Sequence, residues 1–484
     1  MKSVAISMFV AGMVPWCHGQ AVFSQKDKSE ILKLWSTKCS YESVPAGAAG
    51  SEWVVRLTPT GSKWIRELYR QFQSTKVVPT SDPRGGTDEQ QEWIAWLDRQ
   101  VERDWSAAED QATRLNQGQD QTVPPSGGTA RPTTTFSRRA GTDRTGRAPS
   151  PAPNPQDPCP ARLVGLIGAP PKFAAPVRPF RHTVKLADGS TLVYTDNVKV
   201  RPKYAYYRFA AGVNSEGRAV ASWSQSELSS LFAACGLTQV ERNVMKTVSV
   251  KEGGFDSVNT YDTGYVSVGF VQFASLAEGS GSLGEMMALY KSTRPQAFYN
   301  DFERYGLSVS GSTLVAIDLE TGDERTGSEA NAQIIADKRL IAVFQRAGQK
   351  SRDFQIAQVQ SAKEQFYPAN DTCRLTLGGQ TCDVRIGDVF SSEASLATLM
   401  DRKVNTGNIR VVKDVLERLA TEYNITTKED LSSLEFVATR ALAWRTDYTN
   451  STALSRPRDN SVELSRRGGR LDRKGGTKKS GTQD

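Results

Sequence analysis

Apolar residues recur at helical spacing over five long stretches: Ser224 to Val250, Gly284 to Tyr305, Asn331 to Phe366, Ile409 to Tyr423 and Lys428 to Trp444. Between them the pattern switches to short hairpin-like segments. These fall at Gly254 to Phe273, at Thr313 to Arg325 around Thr321-Gly322-Asp323, and at Cys373 to Val384. A further hairpin is predicted from His182-Thr-Val-Lys-Leu and Thr191-Leu-Val-Tyr, turning at Ala187-Asp188-Gly189, with His182 read as an ordinary strand residue. The alternation of long helices with small hairpins predicts an α+β fold that is predominantly helical. Upstream, Trp53 to Gln73 and Glu89 to Leu115 predict helices, and the stripe of Trp93, Trp96 and Trp105 reads as a packed core face.

The same pattern divides the chain. Lys2 followed by an apolar run from Val4 to Trp16 and then Cys17-His18-Gly19 reads as a signal peptide over 1–19, so the mature chain is expected to be secreted or periplasmic. Residues 20–116 read as an N-terminal helical module. The Pro-, Thr-, Ser-, Gly- and Arg-rich stretch 117–160 is too polar and broken to bury a core, so it reads as a linker. Residues 161–447 form the main domain, and 448–484 read as a basic disordered tail. From Ser455 to Asp484 nine Lys or Arg face four Asp or Glu, so this tail holds much of the net charge of +8. Its functional reading is weak contact with an anionic polymer or membrane surface.

Composition narrows the chemistry. The only histidines are His18, in the leader, and His182. Multi-histidine metal sites are thereby excluded, and no cofactor or metal is expected. Catalysis is expected to run on carboxylates. Five cysteines follow the leader, and Cys373-Arg-Leu-Thr-Leu-Gly-Gly-Gln-Thr-Cys382 suggests a disulfide across a hairpin. No reading module for nucleic acid accompanies the basic tail, so no specific nucleic-acid partner is expected.

The informative segment is Lys251-Glu252-Gly-Gly-Phe-Asp256-Ser-Val-Asn-Thr-Tyr261-Asp262-Thr-Gly-Tyr-Val-Ser267-Val-Gly-Phe-Val-Gln272-Phe. A helix is predicted to end at Glu252, where Gly253 and Gly254 supply the φ > 0 freedom of a helix terminus. A carboxyl placed there against Phe255 and Val271 suits a general acid, and Asp262, in a turn-like Tyr-Asp-Thr-Gly, suits a base that activates water. Asp256 is the competing carboxylate. Carboxyls about 6.5–9.5 Å apart imply inversion and about 5 Å implies retention. Leu399-Met-Asp401-Arg-Lys-Val-Asn405-Thr-Gly-Asn408 is read as a polar junction between helices, able to line the same cleft.

Glu followed by Phe-Asp, with Gly-x-x-Gln about twenty residues on, resembles the lysozyme superfamily, including lytic transglycosylases and goose-type lysozymes. The spacing from Asp262 through Tyr265, Ser267 and Gly269 also resembles bacterial chitosanases of that superfamily. The resemblance implies a two-lobed lysozyme-like domain with Glu252 as acid and Asp262 as base. It implies Ser267 as a water-positioning hydroxyl and Gln272 as a substrate contact. Tyr261, Asp401 and Asn405 are further substrate-binding candidates, the last two from the polar segment 399–408. The expected activity is hydrolysis of β-1,4 linkages in an amino-sugar polymer, foremost peptidoglycan. A lytic transglycosylase and a non-catalytic glycan-binding envelope component, partnered through the N-terminal module, are the alternatives.

Overall fold

The computed structural model describes residues 21–46, 54–58, scattered positions between 60 and 114, most of 168–196, and 212–472 apart from 251, 262, 263, 444 and 445. The predicted leader 1–19, the linker 117–160, Trp93, Trp96, Trp105 and Asp262 lie outside the described residues. The fold is mixed α+β. In chain order it runs α1 (Gln25–Lys38), β1 (Ser40–Pro45), β2 (Val54–Leu57), β3 (Ala174–Val177), β4 (Phe180–Lys185), β5 (Thr191–Thr195) and β6 (Asn214–Ser215). Then come α2 (Gln225–Ala234), α3 (Gln239–Ser249), β7 (Val258–Asn259), β8 (Ser267–Val268), β9 (Phe273–Ala274), α4 (Ser282–Thr293) and α5 (Pro295–Asp301). Next are β10 (Leu307–Ser310), β11 (Thr313–Ile317), β12 (Glu324–Thr326), α6 (Ser328–Ala336), α7 (Lys338–Lys350) and α8 (Arg352–Phe366). The described residues close with β13 (Thr372–Leu377), β14 (Gln380–Arg385), α9 (Ile386–Val389), α10 (Glu393–Thr406), α11 (Val411–Glu422), α12 (Glu435–Leu442) and α13 (Ser461–Asp472). Among the described residues all sheets are small and antiparallel: β1-β4-β5, β2-β3, β6-β7-β8-β9, β10-β11-β12 and β13-β14. Among the described residues no helix is long and apolar enough to cross a membrane.

The long helical stretches are real but segmented, and each break has a local cause. Ser224–Val250 divides at Gly236, in left-handed conformation, and α3 restarts on a Thr238/Glu241 capping box. Asn331–Phe366 becomes three helices because Asp337 and Ser351 accept backbone N–H groups as N-caps of α7 and α8. Pro295 starts α5 where the chain leaves α4. The centre of the core is an aromatic cluster of Tyr290, Phe298, Phe302, Phe344 and Phe354, with neighbouring ring centroids 4.9 to 6.2 Å apart.

Two boundaries differ from expectation. The start of the predicted module 20–116 belongs to the main body: β1 pairs with β4, and Phe23, Ile31 and Trp35 are buried. The Trp35 indole donates to the Tyr305 carbonyl at 3.1 Å. Burying three such side chains contributes roughly 1.5–3 kcal/mol each, enough to hold α1 on the body. Within the same segment, Val54–Leu57 is a strand rather than the start of a helix, while described positions 60 to 64 and 99 to 114 are helical. At the other end, the chain through 472 is not a disordered tail. Leu454 and Leu464 are buried, Ser455 N–H donates to Glu393 at 2.7 Å, and Asn460 bonds the Ser433 carbonyl.

The Cys373–Cys382 disulfide is also corrected. The Gly378-Gly379 turn sets a register in which Cys373 faces Val384 and Cys382 faces Leu375. The two cysteines are therefore diagonal neighbours, about 7–8 Å apart in such a ladder, beyond the reach of a disulfide. Cys39, Cys235, Cys373 and Cys382 are all unbridged.

His182 does more than occupy a strand. It is buried, its Nδ1 lies 3.0 Å from the Tyr41 hydroxyl, and its Nε2 lies 3.2 Å from Asp196 Oδ2. Burial pushes the Asp196 carboxyl up, but the imidazole of His182 and the N–H of Phe180 outweigh it and hold the pKa below the ordinary carboxylate value. A carboxylate whose pKa falls on folding stabilises the fold fully above its unfolded value, near pH 4, and loses that contribution as pH drops through the folded value. The β1-β4-β5 sheet is thus expected to loosen below about pH 4. Thermal unfolding at pH 6, 4 and 3 checks this, with Asp196→Asn less stable at pH 6 and flatter toward acid.

Candidate functional site

Helix α3 buries Val244, Met245 and Val248 completely and then stops. The N–H groups of Glu252 and Gly253 both turn back to the Ser249 carbonyl, at 3.0 and 3.3 Å, which closes the helix and leaves Glu252 half-buried at its end. Gly253 has φ +120°. Gly254 is required for closeness: a Cβ there would lie 2.1 Å from the Arg218 carbonyl oxygen. The strap Glu216–Ala219 therefore lies directly on this loop, with Gly254 N–H donating to Glu216 and Ala219 bridging Gly254.

The four-stranded sheet follows at once. Its register places Asn214, Asn259, Ser267 and Ala274 in one row, and Ser215, Val258, Val268 and Phe273 in the other. Val258, Val268 and Phe273 are fully buried, so the second row faces the core and the first forms the polar face. Ser267 sits deep in that face at 4% exposure. Tyr261 lies just beyond β7 with its N–H on the Asn259 side chain at 3.3 Å. Asp262, the expected base, is outside the described residues.

Gln272 is drawn back to the Glu252 loop. Its amide nitrogen donates to Ser257 Oγ at 2.6 Å and to the Gly269 carbonyl at 2.9 Å, and Ser257 Oγ lies where a Cβ on Gly253 would meet it at 2.8 Å. Both amide hydrogens are engaged, and the side-chain oxygen can act only as an acceptor. Gln272, Tyr265 and Leu276 all have φ between 54° and 58°, and of the four non-glycine residues in this region among those described, only Asn424 lies elsewhere. Such conformations cost about 1–3 kcal/mol each and cluster at functional sites.

Gln358, fully buried on α8, clamps both limbs of the loop: its amide donates to the Phe255 carbonyl at 2.9 Å and its oxygen accepts from Phe270 N–H at 3.3 Å. Gly269 makes room for it, since a Cβ there would meet Gln358 Oε1 at 2.2 Å. Asp256 is structural. Its carboxylate accepts from Arg218 N–H at 2.8 Å and from Gln349 at 2.9 Å, and it is 5% exposed.

Asp401 and Asn405 do not form an interhelical junction. Both lie inside α10, where Asp401 is buried and Asn405 donates back to the Asp401 carbonyl at 2.6 Å, one turn earlier. Sequence reasoning missed Asn214, Asn259, Ser257 and Gln358. The alternation Ser257-Val258-Asn259 carried the signal for Asn259, since Val258 must point inward. A glutamine in the apolar run of α8 carried the signal for Gln358.

A separate cleft of about 420 Å³ is lined by Phe23, Ile31, Leu34, Tyr299 and Arg304 with other residues of α1, and shares none with the Glu252 loop. Its walls mix acidic Asp27, Glu30 and Glu303 with basic Lys33, Lys38 and Arg304 without a convergent reactive group. Comparison of the chain with protein-family models, with curated proteins and with solved structures gives no match.

Proposed function

We propose that this chain is an exported glycoside hydrolase of lysozyme-like type, cleaving β-1,4 linkages of an amino-sugar polymer, foremost peptidoglycan. The observation that carries the reading is that Glu252 is half-buried at a glycine-broken helix end, in a loop that runs directly into a small sheet with a polar face. Glu252 donates its proton to the glycosidic oxygen as the bond to the anomeric carbon breaks. Asp262 takes a proton from the water that attacks that carbon, Ser267 orients the water, and Gln272 Oε1, Tyr261 and Asn259 hold the sugars. No metal is needed, because acid and base are both carboxylates.

The test is digestion of purified peptidoglycan by the mature protein, with mass analysis of the soluble products. Fragments with new reducing ends are expected. Anhydro ends would replace hydrolysis by the transglycosylase route, and binding without fragments would leave a glycan-binding component.

A further inference from the structure

The strap that covers the Glu252 loop carries a positioned cation. The Arg218 guanidinium stacks 4.7 Å over the Trp223 ring, and Trp223 meets Phe255, three residues after Glu252, edge-on at 5.2 Å. The backbone at Arg218 is fixed on both sides, by Asp256 at its N–H and by the glycine contact at its carbonyl. The side chain nevertheless remains 48% exposed. Its hydrogen bonds are long: 3.4 and 3.3 Å to Glu227, itself 44% exposed, and 3.4 Å to the Ser222 carbonyl. These use one hydrogen on Nη1 and two on Nη2, leaving Nε–H and a second Nη1–H of the five donors. An exposed pair of this kind is worth little and exchanges readily for a better acceptor.

We propose that Arg218, held on Trp223, is a specificity-determining residue that binds a carboxylate on the polymer, so that the preferred substrate is an acid-bearing amino-sugar strand rather than a neutral or cationic one. This rests on the glycan-cleaving reading above. The guanidinium fork matches a carboxylate in two parallel bonds, whereas a cationic amino group would be repelled. Trp223 lies beneath the guanidinium, and its T-shaped contact with Phe255 links that position to the loop that carries Glu252.

The test is calorimetric binding of the full mature chain to soluble peptidoglycan strands with free carboxylates and to the same strands after amidation. The native chain is expected to bind the acidic strands about tenfold more tightly, as for one charge-assisted contact. Arg218→Gln should bring the two affinities within about twofold of each other, by lowering affinity for acidic strands much more than for amidated ones. Glu227→Gln, which keeps the helix-capping position but removes the competing charge, should strengthen acidic-strand binding severalfold. Equal affinities for both strands in the native chain overturn the inference, as does a preference that survives Arg218→Gln or a loss by Arg218→Gln that falls equally on both strands. Fragment release is scored separately: a carboxylate preference that depends on Arg218 without cleavage sustains the inference while removing the hydrolase reading.

Discussion

Glu252→Gln is expected to lower the release of soluble fragments from peptidoglycan by about 10²–10⁴-fold, the usual contribution of one positioned acid. The substitution keeps the shape of the side chain and leaves the Glu252 N–H bond to the Ser249 carbonyl untouched, so the protein should fold as before. The loop's geometry is held at several points away from this side chain. Gly253 and Gly254 admit the turn and the strap, Asp256 ties the strap down, and Gln358 holds both limbs from below. On the proposed reading, what is lost is the proton for the leaving oxygen. Initial rates of fragment release, measured beside denaturant midpoints for both proteins, check the expectation. A variant with native rates would end the assignment of Glu252. Asp262→Asn separates the routes, because hydrolysis needs the base whereas anhydro-ring closure uses the sugar's own hydroxyl.

Features decided locally were legible in the chain. The glycine stop after Glu252 is one, because only the backbone freedom of Gly253 and the missing Cβ of Gly254 permit that turn. The hairpins at Thr313 to Arg325 and Cys373 to Val384 are others, each marked by a glycine turn. Long-range packing left weaker traces. Trp35 finds its acceptor at Tyr305, and Phe23 presents its N–H to Glu324 at 2.9 Å, so the start of the chain looked like a module of its own. Average composition misled at the other end, where a basic stretch hides Leu454 and Leu464 among polar neighbours although these two suffice to dock it. The site divides the same way. Gln272 was visible by its spacing from Glu252, but its tie to Ser257 depends on a left-handed backbone that glutamine does not advertise.

Arg346→Met is expected to destabilise the fold by about 3–5 kcal/mol, the cost of breaking a buried ion pair from one side. Arg346 is 11% exposed on α7. It donates to Asp188 in the turn between β4 and β5 and to Asp301 at the end of α5, both at 2.8 Å, with its guanidinium 5.5 Å over Tyr305. Burial alone would lower the arginine's pKa, but the two carboxylates more than reverse this and bind it firmly as a cation. Removing it leaves Asp301, 5% exposed, with the Tyr290 hydroxyl at 2.7 Å on its other oxygen. Denaturant unfolding measures the loss, and adding Asp301→Asn should recover a large part of it, since a neutral amide no longer needs a cation. A single variant as stable as the native chain would mean that water screens this pair. The consequence reaches the site, because Gly348 and Gln349, the next residues but one and two along α7, press against Phe255 and bond Asp256. If the proposed activity holds, a helix loosened at Arg346 should lose glycan cleavage at temperatures where the native chain retains it.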